Sequence, residues 1–364
     1  MLGATSSTLL YCFVMIVCVM LAHAVTSSKK IGGKIWLFLI ITILSLLAGF
    51  RSENVGLDTI TYNWHFQMIL DGNAKELAVM VRESSYVYIS EFLLKIFKTP
   101  QALFIIYAFI TNGLIIARFY TLRDKASLPV MVFAYISTQY FFTFNIMRQF
   151  VTVAIVFYAT KFLFNKEYFR YVLCCIVSTS FHITGILGLV ILVLYYFIYN
   201  YETGQKRKNV WLVVACIPIA IAGGIFLLSK YKDYFTGAVH FDFSPILALK
   251  MLILAIYVYR EQRYRKWADV SLRAKMDKEN LVVENTMPYV YIVGLVATML
   301  GSFINYADRV GIYFMMFEAV FIGYVCKNSS CSSYKVAYLT ILLYVFLSTV
   351  FSLGGRLQYA VFWS

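Results

Sequence analysis

Residues 171–199 read YVLCCIVSTSFHITGILGLVILVLYYFIY, and the number of times this stretch crosses a membrane decides the fold. Read alone, it fits either one long tilted helix or two short ones broken around Phe181 and His182. Its flanks choose between them. Lys161, Lys166 and Arg170 precede it, and Lys206, Arg207 and Lys208 follow it. Short cytoplasmic loops are the ones enriched in Lys and Arg. Both ends therefore belong on one side, and the run crosses twice.

Working outward, apolar stretches long enough to span roughly 30 Å of hydrocarbon as helices lie near residues 8–25, 34–50, 102–120, 127–144, 148–164 and 167–182. Others lie near 184–199, 209–228, 244–260, 287–305, 309–326 and 334–352. The expected fold is all-α: a polytopic membrane protein of about twelve transmembrane helices, forming a single transmembrane domain over residues 1–364. Composition agrees, since a 364-residue chain that is 61% hydrophobic and 14% charged is too apolar for a soluble core within a charged surface. The first segment, from about Thr8 to Ala24, has the length of a signal peptide but no basic region before it. It reads as a retained span with its amino terminus outside.

The same rule places the remaining gaps. The inside ones hold Lys29, Lys30 and Lys34; Arg118, Arg123 and Lys125; the two clusters that flank the opening stretch; seven cations from Arg260 to Lys278; and Lys327 with Lys335. The outside ones are residues 51–101, the turn from Asn145 to Gln149, the Phe181–His182 break, residues 229–243, the turn from Asn305 to Arg309, and the tail after Ser352. Lys230 and Lys232 fit this parity least well. The net charge of +14 is accounted for by orientation and anionic headgroups. No loop interleaves a basic face with aromatics, so nucleic acid is not an expected partner. Most of the seven cysteines lie inside apolar stretches, where a thiol packs as a small hydrophobe, and neither a disulfide framework nor zinc spacing follows.

Residues 51–101 form the largest extracytoplasmic segment. Within it Tyr86, Tyr88, Ile89, Phe92, Leu93, Ile96 and Phe97 recur at helical spacing beside Glu83, Glu91, Lys95 and Lys98, the pattern of an amphipathic helix at the interface. Residues 260–286 are a charged cytoplasmic connector.

Chemistry-bearing residues gather in the outside gaps. In RSENVGLDTITY (51–62), Gly56 permits a tight or left-handed turn. Asp58 and Thr59 then offer cap-type acceptors for a helix on which Asp58 and Tyr62 share a face. In NIMRQ (145–149), Asn145, Arg148 and Gln149 stand three and four apart, on one helical face. Arg148 sits where the orientation rule disfavours a cation, so it needs an anionic partner, either an internal carboxylate or a ligand phosphate. His182 lies at an outer break, where a packing role competes with a catalytic one. Arg309 follows Asp308 in INYADRVGIY, which ends at Tyr313, and Arg356 lies in LGGRLQY. Glu318 is the one carboxylate deep in an apolar span, and Lys250, near an outer helix end, is expected to snorkel.

The order RS-x-x-VG-x-DT-x-x-Y, then Glu83-x-x-Tyr86, then N-x-x-RQ, then FH, then a late Arg before an aromatic helix resembles the EpsG-like branch of the Wzy-type polysaccharide polymerases. The resemblance runs from Arg51 to about Tyr313, and the tail with Arg356 matches less clearly. It implies a GT-C-like architecture and glycosyl transfer at the periplasmic face of a bacterial inner membrane. Donor and acceptor would be glycans on undecaprenyl pyrophosphate held among membrane lipid, with a separate chain-length regulator as partner. No nucleotide, no obligatory metal and no cofactor is implied.

On this reading Arg148 and Arg309 bind pyrophosphate with Arg51 and Arg356 in support. Asp58 leads as general base with Glu83 and His182 as substitutes, and Tyr62, Asn145, Gln149 and Tyr313 line the substrate. A lipid-linked glycan flippase or transporter, and an O-antigen ligase, are the competing classes.

Overall fold

The computed structural model describes residues 3–28, 30–81, 83–203, 244–267, 278–301, 307–329, 332–352 and 359–360. Among the described residues the regular elements are all helices. In chain order the helices are α1 (Ala4–Ser27), α2 (Lys30–Gly49), α3 (Thr59–Leu70), α4 (Ala74–Met80), α5 (Ser84–Phe97), α6 (Pro100–Leu122), α7 (Leu128–Thr138), α8 (Phe142–Asn145), α9 (Met147–Phe164) and α10 (Tyr168–Ser178). A 3-10 turn at Ile183–Leu187 leads into α11 (Gly188–Thr203), followed by α12 (Pro245–Trp267), α13 (Lys278–Leu300), α14 (Ala307–Asn328) and α15 (Ser332–Ser352).

Seven of these segments are long and apolar enough to cross a membrane: 4–27, 31–49, 100–122, 147–164, 183–203, 308–328 and 332–351. The chain is thus a multi-pass membrane protein. Two more apolar helices, α7 and α10, are shorter. The expected span at 209–228 lies outside the described residues, as do Lys206–Lys208, Lys230, Lys232, Cys216 and Cys331.

Two expected spans are cut short at the same end of the bundle. The 127–144 stretch is helical only to Thr138, then turns through Gln139 to Phe141 and makes the single turn α8. The 167–182 stretch stops at Ser178 and turns through Phe181 before the 3-10 segment. Irregular backbone at such a depth requires internal hydrogen bonds. Here Tyr140 N–H returns to the Tyr135 carbonyl at 2.9 Å and Thr143 N–H to Tyr140 at 2.9 Å.

A large apolar core joins α1, α2, α6, α7, α9 and α14, and a smaller one seats α3, α4 and α5 against α6. Helices α13 and α14 approach closely because both carry glycine at the crossing. A Cβ on Gly311 would stand 2.6 Å from Thr298 Oγ1, and one on Gly294 would stand 2.9 Å from Met315 N. Small residues at a crossing are how membrane helices gain packing when lipid is as apolar as their own side chains.

Residues 84–97 form the helix expected there, α5. Tyr86, Val87, Ser90 and Leu94 are buried against the bundle, whereas Tyr88, Phe92, Ile96 and Phe97 are exposed. The helix has two apolar sides, one for the protein and one open. At the far end of the bundle, Lys327 Nζ donates to the Arg123 and Asp124 carbonyls at 2.7 and 2.9 Å, and Asn328 reaches the Lys125 carbonyl at 2.8 Å. Two gaps that the charge pattern assigned to one side therefore touch.

Candidate active site

The site is built where the shortened helices end. Ile146 adopts φ −94°, ψ 52° and separates α8 from α9. Asn145, Arg148 and Gln149 therefore do not share one helical face, and each goes to a different partner. Asn145 Oδ1 accepts the Leu57 N–H at 2.7 Å, Arg148 pairs with Glu83, and Gln149 Nε2 donates to the Arg309 carbonyl at 2.8 Å.

Arg51, just past α2, is 1% exposed. Its Nε donates to Thr59 Oγ1 at 3.2 Å, Nη1 to the Ala48 carbonyl and Nη2 to the Phe144 carbonyl at 3.2 Å. The guanidinium is sandwiched between the Phe104 and Phe144 rings, 4.9 and 5.3 Å from their centroids. Thr59 Oγ1 reaches the same Phe144 carbonyl at 3.1 Å. Gly56 makes this corner possible: its φ is +95°, and a Cβ there would stand 2.5 Å from the Phe144 oxygen. The Ser52 N–H closes the corner from outside by donating to the Ala360 carbonyl at 2.7 Å, and Tyr359 OH reaches the Leu47 carbonyl at 3.2 Å. Arg356 lies outside the described residues.

Asp58 stands at the N-cap position of α3 but its side chain makes no cap hydrogen bond, contrary to the expected capping role. The carboxylate is half-buried instead. Burial raises its pKa above the ordinary carboxylate value, while the positive charges of Arg309 and then Arg148 pull the other way. Asp58 thus lies within electrostatic reach of two arginines, Arg309 on α14 and Arg148 on α9.

Glu83 likewise sits at the N-cap position of α5 without capping it. Its Oε2 receives Arg148 Nη1 at 3.1 Å, and its Oε1 accepts the Ile183 N–H at 3.3 Å. Arg148 is enclosed by aromatic rings, its Cζ lying 4.9 Å from the Tyr86 centroid and 5.9 Å from that of Tyr62. His182 caps the 3-10 turn: its Nδ1 lies 2.6 Å from Thr184 Oγ1 and accepts the Thr184 N–H at 3.4 Å. Thr184 Oγ1 in turn lies 2.8 Å from Tyr313 OH on α14. A continuous run of polar contacts thus ties α3, α5, α9, α14 and the 3-10 turn at one end of the bundle. Among the described residues, no group of three or more His, Cys, Asp and Glu could hold a metal ion.

Lys250 overturns the snorkelling expectation. It is 3% exposed and its Nζ lies 2.6 Å from Glu318 Oε1. Tyr291 OH and Tyr338 OH donate to the same oxygen at 2.7 and 3.1 Å. A carboxylate buried in apolar surroundings is far costlier alone than paired, and one cation with two hydroxyls is the pairing adopted here.

His65 is the residue the sequence reading overlooked. It lies three positions after Tyr62 and seven after Asp58, so helical periodicity alone puts it on their face of α3. A family model described as the EpsG family matches residues 34–361. No curated protein and no solved structure matches the chain.

Proposed function

The chain belongs to the EpsG family, and from that premise we propose that it is a membrane glycosyltransferase that polymerises oligosaccharide repeat units carried on undecaprenyl pyrophosphate. The proposed site faces the periplasm of a bacterial inner membrane. The observation that carries this reading is Asp58, a half-buried carboxylate that feels the charges of Arg309 and Arg148 and makes no helix-cap hydrogen bond.

In the proposed reaction an acceptor sugar hydroxyl attacks the donor's anomeric carbon as the bond to the lipid pyrophosphate breaks. Asp58 takes the hydroxyl proton, and Arg309 with Arg148 stabilises the charge growing on the leaving pyrophosphate. Fixed cations aimed at developing charge are often the largest catalytic contribution. Arg51, with every guanidinium nitrogen engaged by the protein, serves as the brace of the corner and not as a phosphate ligand. Glu83 orients Arg148, and His182 with Tyr313 fixes the 3-10 turn. Tyr62, Asn145 and Gln149 shape the walls, and Arg356 stays in the proposal on the resemblance alone. A separate chain-length regulator is the expected partner.

The Lys250–Glu318 pair is the one observation that favours a transporter, since ionisable groups within a membrane mark transport paths. Both side chains are fully buried and bonded to each other, which supports a structural tie instead. A deletion strain separates the classes by product. Loss of the polymerase leaves single repeats on the acceptor, loss of a ligase leaves long glycan on the carrier lipid, and loss of a flippase strands units inside. A gel of the surface polysaccharide, paired with analysis of the carrier-lipid pool, reads all three; anything but single repeats rejects the proposal.

A further inference from the structure

His65 on α3 is 6% exposed, and its ring stands edge-on to the two aromatic rings that enclose Arg148. The centroids lie 6.1 Å from Tyr62 and 6.3 Å from Tyr86, at interplanar angles of 82° and 63°. Among the described residues its Nδ1 is buried with no hydrogen-bond partner, and so is Arg148 Nε in the same aromatic enclosure. Nearly all buried polar atoms in folded proteins are paired, and each one left bare costs about 1–3 kcal/mol. Two bare atoms at one ring cluster point to a polar group that joins them.

Their chemistries narrow what that group is. Arg148 Nε–H only donates, whereas a neutral imidazole offers a lone pair on one nitrogen and a proton on the other. Burial, and then the Arg148 charge, lowers the His65 pKa to about 4, so the ring is neutral at ordinary pH. A phosphate oxygen only accepts, so it satisfies Nδ1 only in the tautomer that carries the proton there, whereas a hydroxyl satisfies Nδ1 in either tautomer. A hydroxyl accepts from the guanidinium and donates to the imidazole at once.

We propose that His65 is a substrate-binding residue that hydrogen-bonds, together with Arg148, a sugar hydroxyl of the glycan bound beside the pyrophosphate. The proposal rests on the polymerase reading and names a contact to sugar where that reading names contacts to phosphate.

The experiment uses the full-length protein in membranes of the complemented deletion strain, with His65→Gln and His65→Phe compared at matched abundance. The readouts are the native polysaccharide on a gel and the initial rate against concentration of the strain's own lipid-linked repeat unit. Glutamine keeps a hydrogen-bonding group, and phenylalanine keeps the aromatic packing alone. The expected result is that H65F loses about tenfold in initial rate with a raised KM, the loss of one hydrogen bond, while H65Q stays within about threefold of wild type. H65F within twofold of wild type, or equal losses in both variants, overturns the proposal. Asp58→Asn run alongside keeps the two ideas apart: a dead D58N with an unimpaired H65F rejects only the sugar contact, and an unimpaired D58N rejects the polymerase site itself.

Discussion

Glu83 and Arg148, 65 positions apart in the chain, meet at 3.1 Å with 7% and 19% of their side chains exposed. The two residues lie on different segments, and the pair adds an ionic tie to the apolar contacts that seat α3 to α5 on the bundle. Removing one member of a buried pair leaves the other charge uncompensated, at about 3–5 kcal/mol. Glu83→Ala should therefore lower the thermal midpoint of the detergent-solubilised protein sharply. Arg148→Lys keeps charge but loses the planar fork and the contact with the Tyr86 ring. It should insert normally and make little polymer; a wild-type glycan ladder from R148K would argue that Arg148 acts only as diffuse positive charge.

Asp58→Asn should leave a folded protein whose polymerisation falls by about 10²–10⁴, the usual worth of a general base. In the proposed mechanism the ionised form is the working one, so activity should be present above the Asp58 pKa and fade as pH falls through it. Arg309 is the first of the two charges holding that pKa down. Arg309→Gln should therefore move the acid limb of the rate profile to higher pH, besides weakening substrate binding. An unmoved acid limb in R309Q would dissociate Asp58 from that limb.

Gly56 and Gly72 make a matched test of the corner. Both have positive φ, +95° and +85°, but a Cβ at Gly56 meets the Phe144 oxygen at 2.5 Å and one at Gly72 meets nothing within 4 Å. Gly72→Ala should cost only the left-handed backbone penalty, about 1–2 kcal/mol, and keep activity. Gly56→Ala should displace Phe144, release its bonds to Arg51 and Thr59, and abolish polymer at reduced protein abundance.

For Lys250 and Glu318 the informative comparison is single against double replacement. Lys250→Met alone strands a carboxylate in the apolar interior and should cost about 3–5 kcal/mol, whereas Lys250→Met with Glu318→Leu should recover most of that loss. Membrane abundance and thermal midpoint read the cycle. Polymer made by a well-folded double variant would confirm the pair as a structural tie; its absence would give these residues a part in function.

His65 also predicts a pH dependence of stability. Its pKa falls from 6.5 in the open chain to about 4 in the folded protein. The unfolded state then binds the extra proton first, so stability is full above about pH 6.5 and declines as pH drops toward 4. His65→Phe should flatten the thermal midpoint across that interval.

Much of the helix pattern was legible because hydrocarbon thickness and Lys/Arg placement are coarse physical constraints that sequence states directly. Arg51, Asp58, Glu83, Arg148, His182 and Arg309 were also visible as polar groups in apolar company. What sequence did not state was who bonds to whom. Spacing put Asn145, Arg148 and Gln149 on one face, but the dihedral break at Ile146 is a tertiary compromise that lets α8 meet the 51–58 corner. Capping preference favoured a local role for Asp58, yet its side chain makes no cap bond and the charges of two arginines on other helices act on it. Lys250 read as a snorkelling cation because its partner, Glu318, lies on another helix and at another depth. His65 carried a usable periodic signal, and a lone histidine among Tyr, Trp and Phe hid it.

The hydrogen bond from Ser52 to the Ala360 carbonyl gives the site a timetable. Ser52 follows the second helix of the chain, whereas residue 360 leaves the ribosome only after every described helix has been made. The corner that holds Arg51 and Gly56 can therefore be sealed only late in synthesis. Truncation before Tyr359 should yield a protein that inserts and packs its helices but never closes the corner around Arg51 and Gly56.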